Sequence, residues 1–192
     1  KNWACFQGYQ KSSGEILLFT DADTIHKNDS LSSAVNTMIH DGIDALSLVP
    51  KLICYDIITK CTLPVLSVFL HSRYSPLRVN NPKNKIGYFF GSFYIISKEN
   101  YEKIGTHEKV RQELVEDGAL GRRVKEQKMK LKLVRGENYI EASWARDPRS
   151  LWHGLRRIII PLHKQQKKSA IMVTAFIFFI LQIRHYFSRY CC

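Results

Sequence analysis

No CxxC pair, and no histidine at finger-like spacing, accompanies the five cysteines Cys5, Cys54, Cys61, Cys191 and Cys192. An odd count without those spacings indicates neither a disulfide framework nor a structural zinc site, and it suits a reducing compartment. Glycine, at 10 residues, and proline, at 6, are too scarce for a collagenous or low-complexity chain. No internal repeat is present, and no charged and then apolar segment with a cleavage site follows Lys1, so no secretory signal is read. Acidic residues are the minority, with 17 Asp plus Glu against 29 Lys plus Arg and a net charge of +12. At 192 residues, 45% of them hydrophobic, the chain is long and apolar enough to bury a core, which excludes fibrous and disordered classes.

The positive charge is uneven. The 51 residues after Glu141 hold 9 basic residues and only Asp147 as an acid, so they carry +8 of the +12. Within them Lys164, Lys167 and Lys168 precede an apolar run of 14 residues, Ala170 to Ile183, broken only by Thr174 and Gln182. A basic cluster abutting an apolar run indicates a membrane boundary, and the positive-inside tendency places the preceding domain on the cytoplasmic face. A full span needs about 20 residues, so the run reads as a truncated transmembrane helix, with a buried core helix as the alternative. Nucleic acid is not expected as a partner, because Phe176, Phe178 and Phe179 sit among aliphatics and are not interleaved with Arg and Lys.

Before the tail, hydrophobic patterning alternates. Ala4 to Ser12 reads as a short helix and Glu15 to Thr20 as a buried strand ending in Asp21-Ala22-Asp23. Asn28, Asp29 and Ser30 offer caps for a helix with Leu31, Val35, Met38 and Ile39 at helical spacing, and Gly42 stops it. Asp44 to Val49 is a second strand, so residues 15–49 predict an α/β unit with a mainly parallel sheet. Leu52 to Leu70 is apolar with Pro64 inside, a kinked or interfacial helix, and Asn80 to Lys85 is a polar turn segment. Gly91 to Ser97 reads as a strand opening into a helix to Ile104, followed by a helix over about Val115 to Gln127 and a strand over Lys130 to Val134.

Two carboxylates one residue apart at the end of a buried strand are costly unless a cation neutralises them. Asp21 and Asp23 are therefore a candidate Mg²⁺ or Mn²⁺ site, completed by water and by phosphate oxygens of a substrate; paired turn aspartates are the plain alternative. Glu116 and Asp117 open a predicted helix, where acid complements the dipole, but Asp117 could equally serve as a general base. In the segment Trp152 to Arg157, the forks of Arg156 and Arg157 could hold a departing diphosphate or an anionic lipid head, with a solvated basic face as the alternative.

The order of these segments resembles the inverting family 2 glycosyltransferases of GT-A fold, particularly the membrane-associated branch acting on hopanoid and carotenoid compounds. The resemblance rests on KNWACFQGYQKSSGEILLFTDADT, DALSLVP, GSFYIISKENYEKIGTHEKVRQELVEDGALGRRVKE and DPRSLWHGLRR, which cover most of residues 1–157. It implies a GT-A fold, a Rossmann-like mixed and mainly parallel sheet flanked by helices. It divides the chain into residues 1–163, the C-terminal two-thirds of that domain, and 164–192, a basic linker and membrane helix. It also implies a nucleotide-diphosphate sugar as donor and a lipid-like hydroxyl compound as acceptor. Asp21 and Asp23 become the metal and nucleotide-sugar site, with Asp23 the direct ligand. Asp117 becomes the catalytic base and Glu116 its neighbour. Lys1, Arg156 and Arg157 fall on the nucleotide side, and Gly91, Ser92 and Trp152 on the acceptor side. A late Q-x-x-R-W motif marks processive members; His153-Gly154-Leu155-Arg156-Arg157 lacks its Gln and Trp, which favours addition of a single sugar. The strands that bind the nucleotide base in this fold are expected to precede Lys1.

Two other classes fit parts of the sequence. A haloacid-dehalogenase-like phosphatase also ends a strand in DxD, but its D-x-D-G-T becomes Asp21-Ala22-Asp23-Thr24-Ile25 here. A non-catalytic peripheral membrane module would use the basic tail alone.

Overall fold

The computed structural model describes residues 1–165. The membrane helix expected from Ala170 lies outside the described residues, as does the basic linker before it apart from Lys164 and Gln165. Among the described residues no helix is long and apolar enough to cross a membrane. Two compact units divide at Pro148. In the first, the elements run α1 (Asn2–Lys11), β1 (Ile16–Phe19), β2 (Thr24–His26), α2 (Ser30–His40), β3 (Ala45–Val49), β4 (Lys51–Cys54), α3 (Ile57–Tyr74), α4 (Pro76–Val79), β5 (Tyr94–Ser97), α5 (Lys98–Lys103), α6 (Glu116–Glu126), β6 (Leu131–Arg135) and β7 (Ile140–Ala145). The described part of the second unit is helix α7 (Pro148–Gln165), which starts at the boundary.

The main sheet has the order β1-β5-β3-β6. Strands β1, β3 and β6 point the same way, but β5 enters between β1 and β3 in the opposite sense, so only β3 and β6 pair in parallel. A smaller sheet, β2-β7-β4, adds one antiparallel and one parallel pair. The expected mixed sheet is present, but its predominance of parallel pairing is not. The reason is topological: residues 15–49 do form strand, helix and strand, yet a strand from much later in the chain separates the two.

Continuous apolar strands follow from burial on both faces. Leu17, Ala45, Tyr94, Ile96, Leu131 and Leu133 face a core completed by Tyr101, Ile104, Leu120 and Val124. Leu46, Leu48, Phe93 and Ile95 face the other way, onto Ala34 and Met38 of α2 and Ile140 of β7. Helix α2 buries Ser30, Ala34 and Met38, while Leu31 and Ile39 are exposed, so its inward face is rotated from the expected one. Small residues let α2 lie close to the sheet.

Three polar contacts steer the chain toward the end of β1. Ser47, fully buried in β3, donates to the carbonyl of Phe93 (3.0 Å) and accepts from the amide of Phe90 (2.8 Å), which pins the Phe90–Phe93 turn to the sheet. Asn80 exchanges two hydrogen bonds with the backbone of Leu133, occupying the edge of β6 as a strand would. Lys125 reaches from α6 to the carbonyls of Val79 and Asn81. A buried aromatic layer lies behind β1, where Phe19 packs on Tyr94, Tyr101 and His107. Burial pushes His107 down to about 4, so it is neutral at physiological pH and hydrogen-bonds to Tyr101.

Candidate functional site

Antiparallel pairing of Phe19 with Tyr94 brings the exit of β1 beside the entrance of β5. Asp21 thereby lies next to Gly91, and the first turn of α6 closes on the same point. The backbone at Gly91 is surrounded by charge: a Cβ there would stand 2.9 Å from Asp117 Oδ2, 3.2 Å from Asp21 Oδ2 and 3.2 Å from Lys1 Nζ. Residues 1, 21, 91 and 117 thus converge from four separate stretches of chain. Thr20 supports the join by donating to the carbonyl of Ser92 (2.8 Å), and its hydroxyl also meets His26 Nε2 (2.9 Å).

Lys1 Nζ bridges two of the carboxylates, at 2.7 Å from Asp21 Oδ1 and 2.9 Å from Glu116 Oε1. Burial works against its charge, yet the hydrogen bonds and negative charges of Asp21 and Glu116 outweigh this and hold its pKa above the ordinary lysine value. Asn2, the first residue of α1, donates to the carbonyls of Val110 (2.9 Å) and Arg111 (3.2 Å), which holds the start of that helix near the segment leading into α6.

Asp117 is the carboxylate without a cation in contact. Burial and then the charge of Glu116 push its pKa up to about 6, against the opposing pull of Lys1 and of the Gly118 amide, which donates to Oδ1 at 2.7 Å. Of two adjacent acids, one is clamped by a lysine and the other is poised near neutrality. Separated environments of this kind divide the roles of paired carboxylates.

Two substitutions probe this geometry. Gly91→Ala inserts a methyl among Asp117, Asp21 and Lys1 at a position where the backbone needs no glycine. It is expected to lower by about 10²-fold whatever turnover depends on these acids, by displacing them, with the thermal midpoint within about 2 °C of the parent. Lys1→Met removes the charge that restrains Asp117, so the acid limb of the pH–rate profile should move to higher pH. An unmoved limb would disprove the coupling.

The sequence-predicted residues divide into four groups. Lys1, Asp21, Gly91, Glu116 and Asp117 are brought together. Ser92 is adjacent and buried, and its hydroxyl has no hydrogen-bond partner among the described residues. Asp23 is exposed on the turn after β1, and among the described residues it has no ion pair. Trp152, Arg156 and Arg157 are exposed on α7, in the second unit. Ser47, Thr20 and His26 escaped the sequence reading; a lone serine within an apolar strand was the one available signal for Ser47.

No group of three or more His, Cys, Asp or Glu side chains that could hold a metal occurs among the described residues. The donor set therefore does not fit a closed protein cage. It does fit a hard cation held by one or two carboxylates and completed by phosphate oxygens and water, for which Asp23 offers a free, exposed carboxylate.

A family model, glycosyl transferase family 21, matches residues 1–188. Among solved structures, a mannosyltransferase from Pyrobaculum calidifontis, in complex with GDP-Man and Mn²⁺, superposes with a TM-score of 0.56 at 15% identity over 92% of this chain and 48% of the other. Glucosyl-3-phosphoglycerate synthase from Mycobacterium tuberculosis, with Mn²⁺, UDP-Glc and glycerol 3-phosphate, gives 0.52 at 17% identity over 85% of this chain and 54% of the other. The chain thus spans about half the length of these structures. At such identities the likeness shows the fold, that of the GT-A nucleotide-sugar transferases. No curated protein matches the sequence significantly. The expected resemblance holds at this level, and the family matched is 21. The phosphatase alternative is set aside.

Proposed function

Because this chain belongs to glycosyl transferase family 21, we propose that it carries the metal, acceptor and base side of an inverting glycosyltransferase that moves a hexose from a nucleotide-diphosphate donor to a lipid-like hydroxyl acceptor. The observation that carries the reading is Asp117, a carboxylate of pKa about 6 that shares the Gly91 corner with Asp21. A base near neutrality is ionised in most molecules at pH 7 and still basic enough to accept a proton from a hydroxyl as its oxygen attacks.

In this scheme Asp117 takes the acceptor proton while the acceptor oxygen bonds to the anomeric carbon and the bond to the diphosphate breaks. Attack from the face opposite the leaving group inverts the anomeric centre. Glu116, paired to Lys1, does not compete for the proton; it keeps Lys1 beside Asp21 and holds the Asp117 pKa up. A Mg²⁺ or Mn²⁺ ion on Asp23, with Asp21 beside it, would neutralise the charge that develops on the diphosphate. The buried Ser92 hydroxyl, beside Gly91, has no hydrogen-bond partner among the described residues, which supports a ligand contact there. The donor class is argued from the GDP-Man and UDP-Glc complexes of the structural relatives. Lipid character of the acceptor is argued from the basic and apolar residues from Lys164 onward, as is attachment to a membrane with the catalytic unit on its cytoplasmic face, and its hopanoid or carotenoid type rests on the family resemblance alone.

Calorimetric titration of the intact protein with UDP and with GDP, each with and without Mn²⁺, tests the metal assignment. Binding should strengthen by at least about tenfold with Mn²⁺, and Asp23→Ala should abolish that gain while leaving metal-free binding unchanged. An undiminished Mn²⁺ effect in Asp23→Ala would remove Asp23 from the metal site.

A further inference from the structure

Helix α3 carries apolar residues on its outward as well as its inward side, yet only the inward side is covered. Thr59, Leu63, Leu66 and Tyr74 are buried, whereas Ile57 is 78% exposed and Val68 63%. With Cys61 and Pro64, both exposed, these residues recur at i, i+4, i+7 and i+11, the spacing of one helical face. Exposed apolar surface continues past both ends of the helix, through Tyr55 before it and Leu77, 87% exposed, on α4. An outward helical face that carries Ile57, Cys61, Pro64 and Val68 marks a contact site with an apolar phase.

Charge selects the phase. Helices α3 and α4 hold no Asp or Glu, and their cations are Lys60, Arg73 and Arg78. Lys60 is exposed on α3, one residue before Cys61, and Arg78 is exposed beside Leu77. An apolar stripe whose exposed charged neighbours are Lys60 and Arg78, and whose one carboxylate, Asp56, is taken up by the amide and hydroxyl of Thr59, matches the surface of an anionic bilayer, where apolar burial and headgroup attraction act together. A second copy of the chain would bring the same cations face to face, which like charge opposes. The chain's own residues 166–192 offer no better complement, since they hold Lys167, Lys168, Arg184 and Arg189 and no acid.

We propose that this outward face of α3 and α4 docks on an anionic lipid surface, lying on the bilayer without crossing it. The inference deepens the lipid-acceptor reading above, because it gives the catalytic unit a contact with the bilayer independent of residues 164–192. An acceptor dissolved in that bilayer would then meet the enzyme along the membrane plane.

Cys61, an exposed cysteine within the stripe, serves as the reporter. The full chain, with its other cysteines replaced by Ser and an environment-sensitive fluorophore on Cys61, is mixed with vesicles of phosphatidylcholine alone or with about 30% phosphatidylserine. Lipid-borne quenchers should reach the probe, with quenching several-fold stronger on the anionic vesicles, and the double variant Ile57→Glu/Val68→Glu should lose it. Co-sedimentation of the chain with vesicles while the Cys61 probe stays unquenched would overturn the proposal. So would a probe already shielded without lipid, either at every concentration, which means the chain's own tail covers it, or with a concentration dependence, which means a second copy does. Mn²⁺-dependent binding of UDP or GDP is the separate readout for the transferase reading. It is to be lost in Asp23→Ala and kept in Ile57→Glu/Val68→Glu, so either reading can fail without the other.

Discussion

Asp117→Asn is expected to lower the rate of sugar transfer by about 10²–10⁴-fold, the usual contribution of a positioned general base, while nucleotide binding persists. Asparagine keeps the Oδ1 that accepts from the Gly118 amide, so the first turn of α6 retains its local geometry. In the parent, kcat/KM should fall tenfold per pH unit below about 6, where Asp117 is protonated, and the variant's residual rate should lack that limb. Turnover within about threefold of the parent would remove Asp117 from the role of base. The same substitution carries a stability signature. Because the folded-state pKa lies above that of an ordinary carboxyl, the folded protein favours the protonated form, and holding Asp117 ionised costs stability as pH rises from about 4 through about 6. Asp117→Asn removes that cost. The variant should be more stable than the parent at pH 7.5 by about 1–2 kcal/mol, after allowance for partial solvent screening, and equal to it below about pH 4. A gain in stability joined to a loss of turnover is the mark of a group kept in an unfavourable setting for its chemistry.

The second large effect lies in the fold. A Cβ on Gly87 would stand 1.9 Å from the carbonyl oxygen of Gly121 and 2.5 Å from its carbon, and one on Gly121 would stand 2.6 Å from the backbone of Tyr88. Two glycines thus let the strand-like segment before β5 touch the backbone of α6. No side-chain rotation can relieve such a contact, so Gly87→Ala should cost about 3 kcal/mol or more and lower the thermal midpoint by roughly 6–12 °C. Gly8→Ala is the matched control: it lies within α1 with nothing within 4 Å of the new methyl. That change should be neutral or stabilising by up to about 1 kcal/mol. Similar midpoints for the two variants would show that the Gly87–Gly121 contact yields easily.

Much of the fold was legible because burial leaves a mark on local pattern. Strands β1 and β3 read as continuous apolar runs, α6 shows its inward Leu120 and Val124, and Gly105, at φ +86°, stops α5. Strand β7 escaped notice because its alternation includes Glu141 and Ser143, which reads as loop when no neighbour is known. Strand β4 was absorbed into the apolar run from Leu52, although Asp56 caps α3 by accepting from the Thr59 amide at 2.9 Å, a cap signal readable as Asp-x-x-Thr. Exposure of Leu31 and Ile39 was not legible either, since apolar spacing fixes a helical stripe but not which neighbour covers it. At the site, residue types announced Asp21, Asp23, Glu116 and Asp117. What pattern could not reveal was that Lys1 clamps Glu116 and leaves Asp117 free, since that depends on contacts between residues at opposite ends of the unit.

The antiparallel entry of β5 also bears on the order of folding. Strand β1 joins the main sheet only through β5, which lies far along the chain, while α2 can form from neighbouring residues. Closing so long a loop is entropically slow compared with local helix and hairpin formation. Until it closes, Asp21 has no fixed position relative to Asp117, whatever helix has formed elsewhere. Recovery of nucleotide-dependent activity during refolding should therefore lag behind recovery of helical signal, and that lag would time the docking of β1 onto β5.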